Sequence, residues 1–97
     1  MTQTKTGPLF TTGKSTISPG VAALCGMRKA KRLFRRHRAG DWGNLGKFDR
    51  DNNDMAVSEG RAILSSYLFG SKQAGRRVWI ITSADRSRTR VILPEEY

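Results

Sequence analysis

The chain has 97 residues, with 18 Lys and Arg against 8 Asp and Glu, for a formal net charge of +10. That length suits one domain and excludes a large cofactor-binding fold. No apolar run approaches the ~20 residues of a membrane span, and the N-terminal stretch lacks the apolar core of a signal peptide.

Residues 1–8 read as a loose polar tail closed by Gly7-Pro8, and residues 9–97 as a single α+β domain. Residues 9–14 suit a short edge strand. Ser18-Pro19 opens a helix, Ser as N-cap and Pro at the first helical position. This helix carries Val21, Ala22, Leu24 and Cys25 and stops at Gly26. Cys25 is the single cysteine, which excludes an intrachain disulfide and a cysteine-based metal cluster; a reducing cytoplasm is expected. Its apolar flanks mark it as a buried thiol. A second helix is predicted over residues 27–39 and ends at Gly40. Its inward stripe is Ala30, Leu33, Phe34 and His37, at i, i+3, i+4 and i+7.

Residues 41–46 form a turn. Phe48 and Asp49 suit the staple and cap of a third, short helix, with an acidic first turn and Gly60 as its terminator. Residues 62–69 predict a strand and 70–75 a flexible hairpin loop. The apolar run 78–81 predicts a central strand covered on both faces. A tight turn at 83–87 leads to an alternating strand over 88–93, ended by Pro94. The predicted order is β-α-α-α-β-β-β: a small antiparallel sheet of three or four strands with two or three helices on one side, an α+β fold.

The charge is uneven. Residues 28–38 hold seven cations (Arg28, Lys29, Lys31, Arg32, Arg35, Arg36, Arg38) and no acid. Residues 41–59 hold five acids, and residues 60–93 return to seven cations against Asp85. Such a helix would line a phosphate backbone, where each neutralised phosphate releases counterions, or dock on an acidic protein groove. It offers little for reading base edges. The plainer reading is a solvated face. Arg86, Arg88 and Arg90 form a second basic set.

Gly13-Lys14-Ser15 does not complete a phosphate-binding loop: Gly7 lies one residue too far upstream, and no parallel β-α-β unit follows. His37 is the only histidine, so no histidine-based metal site is visible, and no metal or organic cofactor is expected. Asp41 lies four positions on. The pair reads either as a structural contact at the helix exit or as a general acid/base histidine oriented by a carboxylate. Trp42, Trp79, Tyr67 and Phe69 are candidates for stacking on bases. Trp79 falls in the buried run, while Trp42 in its glycine-rich turn is the better partly exposed aromatic. Asp85-Arg86-Ser87 reads as a self-capped turn or as an anion site of Arg86, Ser87 and Thr89.

His37-x-x-Gly40-Asp41-Trp42-Gly43, together with Trp79-Ile80-Ile81-Thr82-x-x-Asp85-Arg86-Ser87, makes a specific combination. Thr12-Gly13, Ser18-Pro19-Gly20, Asp49, Asn53-Asp54, Ala56, Gly60, Ile63-Leu64-Ser65-Ser66-Tyr67, Thr89, Leu93-Pro94 and Tyr97 extend it over residues 9–97. In this pattern the chain resembles a family of small plasmid- and phage-borne proteins known only as plasmid-related. The resemblance implies a mobile-element origin and no particular activity. Relatives carry few basic residues before the Gly40 position, so the basic helix is this chain's own addition. They often carry Glu where Ser83 stands and Arg where Ala62 stands.

Two functions follow as expectations. The first is a non-enzymatic binding protein that presents the seven helix cations, Trp42, Arg86, Arg88 and Arg90 to nucleic acid or to an acidic or nucleoprotein partner. On a mobile element its use would be to inhibit a host defence system of restriction or CRISPR type. The alternative is a small mRNA-cleaving ribonuclease with His37 as base, Tyr67 as acid and Arg86 on the phosphate. A third, plainer reading is an accessory protein whose charge serves solubility or dimerisation. No membrane partner is expected, and the oligomeric state stays open.

Overall fold

The computed structural model describes residues 8–69 and 75–97. The tail expected at residues 1–8, apart from exposed Pro8, and most of the expected hairpin loop lie outside that range. The chain is α+β. Strand β1 (Lys14–Ile17) leads into helix α1 (Pro19–Arg38), then helix α2 (Lys47–Glu59), strands β2 (Ile63–Phe69), β3 (Arg76–Thr82) and β4 (Arg88–Ile92), and a 3-10 turn over Pro94–Glu96. The four strands form one sheet in the order β1-β4-β3-β2.

Ser18 starts α1 as its sequence suggests. Its hydroxyl accepts the Val21 N–H (3.1 Å) and donates to Glu96 Oε1 (2.6 Å), tying the helix start to the C-terminal turn. The two helices expected on either side of Gly26 share one element. Gly26 interrupts it at φ 82°, ψ 160°, a conformation open only to glycine. Gly60 closes α2 in the left-handed region (φ 71°), its N–H on the Ala56 carbonyl (3.0 Å).

β2, β3 and β4 make the expected antiparallel meander. Ile63, Ser65 and Tyr67 of β2, Val78, Ile80 and Thr82 of β3, and Thr89 and Val91 of β4 point inward and are buried. Of these, Tyr67, Val78, Ile80 and Val91 cluster with Val21, Ala30, Leu33 and Phe34 of α1. A second cluster joins Phe10, Trp42, Ala56 of α2 and Ile63. Each fully buried Val or Ile contributes about 1.5–3 kcal/mol. Cys25 is half-buried against the first cluster, and burial raises its thiol above the ordinary value although Lys29 opposes the shift.

Three expectations need correction. The edge strand lies at Lys14–Ile17 rather than at residues 9–14, and it runs parallel to β4, so the sheet is mixed. Gly13 sets this register. It sits at φ 60° against the Ser87 backbone, where a Cβ would come within 2.3 Å of the Ser87 carbonyl. The N–H groups of Lys14 and Ser18 then donate to Ser87 O (3.0 Å) and Val91 O (2.9 Å). Second, β3 is covered on one face only: Val78, Ile80 and Thr82 are buried, whereas Trp79 and Ile81 are half-exposed. Third, Phe48 staples nothing. It is 83% exposed, and α2 starts at Gly46 without a side-chain cap.

The β2 edge is sealed by the chain itself. The Ser66 N–H donates to Trp42 O (3.3 Å), and Ser66 O accepts the Asn44 N–H (2.6 Å). The Leu68 N–H donates to Asn44 Oδ1 (2.8 Å), and Asn53 Nδ2 donates to Leu64 O (2.7 Å). Residues 42–44 thus act as a fifth-strand substitute, which protects an edge that would otherwise pair with other chains.

Candidate polyanion-binding site

The α1 cations have a simple geometry. With Ala30, Leu33, Phe34 and His37 turned inward, helical spacing places Arg28, Arg32 and Arg35 along the opposite crest. All three are exposed. Lys31 and Arg38 flank the crest toward β1, beside Ser15, Ile17 and Phe34, around a groove of about 290 Å³. Lys29 and Arg36 flank it toward β2, near Phe69. Lys29 Nζ stands 5.1 Å from the Phe69 ring centre, and the Arg38 guanidinium 5.7 Å from that of Phe34. Among the described residues, only Arg36 of the seven meets an acid.

That acid is Asp41. Arg36 Nε and Nη2 hold its two carboxylate oxygens at 2.7 and 3.2 Å, and the Arg36 fork keeps the carboxyl below its ordinary value. Asp41 also accepts the Gly43 N–H (3.2 Å). It therefore fastens the Gly40–Gly43 turn to α1 and leaves the imidazole of His37 to other partners.

His37 is fully buried. Its surroundings identify its tautomer. Thr89 Oγ1 donates to Thr12 O (2.9 Å), so it accepts from Thr82 Oγ1 (2.7 Å). Thr82 must then accept from His37 Nε2–H (2.9 Å), and His37 Nδ1 accepts from the Ser65 hydroxyl (2.6 Å). Phe10 and Trp42 close over the ring edge-on, with centres 5.4 and 5.9 Å away. Burial pushes the imidazole down from 6.5 to about 3. This is a neutral histidine locked inside the fold, with no open face for substrate. Both expected forms of a His37–Asp41 pair, a structural contact at the helix exit and an acid/base histidine oriented by the carboxylate, are corrected accordingly: Asp41 pairs with Arg36 and the ring with Ser65 and Thr82.

Tyr67 is likewise buried, its hydroxyl donating to Asp41 O (2.7 Å), and burial raises it above its ordinary value. The Arg36 guanidinium lies over its ring, 4.8 Å from the centre. Trp42, expected to be partly exposed, is 3% exposed, with Nε1 donating to Asp54 Oδ1 (2.9 Å). Gly43 must be glycine: it has φ 77°, and a Cβ there would lie 2.3 Å from Ser66 O. The Gly-Asp-Trp-Gly turn is edge protection and core, not a stacking platform.

Arg86 is also structural. It holds a left-handed backbone (φ 62°) and donates through Nη1 to Arg61 O (2.7 Å), Ser83 O (3.1 Å) and Ala84 O (3.3 Å). Its Nη2 donates to Ala56 O (2.9 Å), a carbonyl at the end of α2 that also accepts the Gly60 and Arg61 N–H groups. Thr89 is buried, so Arg86, Ser87 and Thr89 do not assemble an anion site. Asp85 caps the turn, taking the Ser87 N–H (2.9 Å) and the Ser83 hydroxyl (2.8 Å). These bonds, those of Ser87 foremost, lower its carboxyl to about 2. The β2–β3 register brings Ala62 and Ser83 opposite each other one step past the ladder.

Arg88 and Arg90 lie on the outer sheet face, away from α1, because their neighbours Thr89 and Val91 point inward. The expected second basic set therefore does not extend the first. That outer face is open beside Trp79, Ile81, Leu64 and Tyr97, which line a groove of about 390 Å³. Among the described residues, no cluster of His, Cys, Asp or Glu has metal-binding geometry, and no helix is long and apolar enough to cross a membrane.

Sequence reasoning named Ser65, Thr82 and Thr89 but did not see that they form the hydrogen-bonded chain to His37. Their signal was present: all three are polar residues at core-facing parity in their strands. It also did not foresee that Asn44 and Asn53 guard the β2 edge, a role with no local signature. Compared with known proteins, the chain matches no family model, no curated protein and no solved structure.

Proposed function

We propose that the protein is a non-enzymatic binder of nucleic acid or of a nucleoprotein surface, with the exposed side of α1 as its contact. The observation that carries this is the state of the α1 cations. Arg28, Arg32 and Arg35 stand in line on an exposed crest, Lys29, Lys31 and Arg38 flank it, and none of these six meets an acid among the described residues. Gathering so much like charge on one helix is unfavourable unless a polyanion neutralises it. The groups suited to acid/base chemistry, His37 and Tyr67, are sealed in the core, which favours binding over RNA cleavage. The further step, inhibition of a host restriction or CRISPR-type effector, follows from the mobile-element resemblance and not from the geometry.

The test is a pull-down from a bacterial lysate with and without nuclease, comparing wild type with Arg28→Glu/Arg32→Glu/Arg35→Glu. Arg36 is left intact because it fastens Asp41. Nucleic acid or a nucleoprotein held by wild type and lost in the variant supports the proposal. The same cargo on both proteins refutes it.

A further inference from the structure

The two edges of the sheet are treated differently. The β2 edge is plugged by residues 42–44 and Asn53. Among the described residues, the β1 edge faces no strand. Lys14 and Ser18 direct their N–H groups to β4, at Ser87 O and Val91 O, so alternation turns the N–H and C=O of Ser15 and Ile17 away from the sheet. The side chains of the same two residues face α1 and line the groove of about 290 Å³ together with Lys31, Phe34, Arg35 and Arg38. Strand donors and acceptors that meet no partner among the described residues, an apolar floor of Ile17 and Phe34, and a cationic wall thus occur side by side.

We infer that this edge is a docking site for an extended acidic peptide segment of a protein partner, added as a further strand beside β1. The inference rests on the reading of α1 as a polyanion contact, because Lys31, Arg35 and Arg38 serve both. Three features select an acidic peptide over a nucleic acid strand. Alternating N–H and C=O groups match a peptide backbone and not a sugar-phosphate one. The spacing of Ser15 and Ile17 matches alternate residues of a strand. The floor accepts an apolar side chain, while the wall pairs with carboxylates to either side. Among the described residues, no acid lines the groove. Residues 1–7 carry Lys5 and no acid, so charge gives the chain's own N-terminus no preference for it.

The probe is a nine-residue synthetic peptide in which Glu alternates with Val and Thr, with the same peptide carrying Lys for Glu as control. Binding is followed by fluorescence anisotropy and by amide shifts of the full-length protein. The discriminating variant is Ser15→Pro. It removes one outward N–H, leaves the bonds to β4 intact, and suits an edge position. The acidic peptide should bind wild type, shift the Ser15 and Ile17 amides, and lose at least about tenfold in affinity with Ser15→Pro. A duplex oligonucleotide should bind wild type and Ser15→Pro alike. Lys31→Glu/Arg38→Glu should weaken the peptide about tenfold or more and supplies a second variant that leaves the strand untouched. Equal binding of the acidic and basic peptides, or amide shifts confined to α1, overturns the inference. In either case the oligonucleotide arm still reports separately on the helix.

Discussion

Lowering the pH from 7 to 5 should cost about 2 kcal/mol of folding stability through one side chain, His37. The imidazole is fully buried, both of its nitrogens are taken by hydroxyls, and burial holds it at about 3 against an ordinary 6.5. A second ring proton would sit on Nδ1, which now accepts from Ser65, and would set two donors against each other. The unfolded chain takes up this proton near pH 6.5 and the folded one only near pH 3. The unfolded state therefore binds more protons throughout that window, and stability falls as the pH falls. The loss is about 0.4 kcal/mol at pH 6.5 and fades out above about pH 7.5. The loss reaches about 2 kcal/mol at pH 5 and about 3 kcal/mol at pH 4, with a slope approaching ~1.4 kcal/mol per pH unit.

That is a large share of the ~5–15 kcal/mol that stabilises a domain of this kind. Asp41, Asp85 and Glu96 are also held below their ordinary values, by Arg36, by Ser87 and by the Leu93 N–H respectively. The sign is the same, since depressed carboxyls lose their contribution as the pH falls. Their window opens only below about pH 4.5, so the interval from 6.5 to 5 reports His37. Urea unfolding at pH 7.5, 6.5, 5.5 and 5.0 gives the slope, and imidazole resonances of the folded protein give the titration directly. His37→Gln should flatten the slope. A wild-type stability unchanged down to pH 5, or a folded-state imidazole titrating near 6.5, would refute the reasoning.

Other consequences can be measured in the same way. Gly43→Ala combines a left-handed backbone with a collision against Ser66 O, whereas Gly26→Ala meets nothing within 4 Å. Urea unfolding should show a loss of about 3 kcal/mol or more for the first and about 1–2 kcal/mol for the second. Arg86→Ala leaves Arg61 O without its guanidinium donor and removes a further donor from Ser83 O and Ala56 O, which keep backbone partners; it should cost about 1–2 kcal/mol, with little rescue by Arg86→Lys, which lacks the guanidinium fork. Asn44→Ala exposes the Leu68 N–H on the β2 edge. It should cost about 1–2 kcal/mol and promote concentration-dependent association by light scattering.

Much of the fold is legible where the signal is local. The Ser18-Pro19 start, the Gly26 break, the Gly60 stop and the inward stripe of α1 all depend on residues within a turn or two of one another. The parallel pairing of β1 is different. Its register depends on Gly13 meeting Ser87 and on Thr12 O accepting from Thr89, 77 positions away, and a four-residue polar strand announces neither. The run Val78-Trp79-Ile80-Ile81 suggested burial on both faces, because apolar content alone does not show which side lacks a helix.

The candidate site divides along the same line. The exposure of the α1 cations follows from helical periodicity and was visible in the sequence. The chemistry suggested by His37, Trp42 and Arg86 was not upheld, because their partners arrive from distant segments: Ser65 and Thr82 lie 28 and 45 positions from His37, and Ala56 lies 30 from Arg86. Residues of the His-x-x-Gly-Asp-Trp-Gly and Asp-Arg-Ser patterns hold the fold together here: a buried relay, a sealed edge and a capped helix end. The α1 cations are not among the residues that define those patterns, although the helix that carries them ends in His37, and the binding proposal rests on them.

The most direct measurement is the salt dependence of duplex DNA binding by wild type and by Arg28→Glu/Arg32→Glu/Arg35→Glu. If the three crest arginines and Lys31 each neutralise one phosphate, log affinity should fall with log salt at a slope of about −3.6. The variant should bind at least a hundredfold more weakly, with a slope reduced to about −0.9 by the one contact left at Lys31, while unfolding no more easily than wild type. Equal affinities and equal slopes for the two proteins would contradict the assignment of α1 as the polyanion contact.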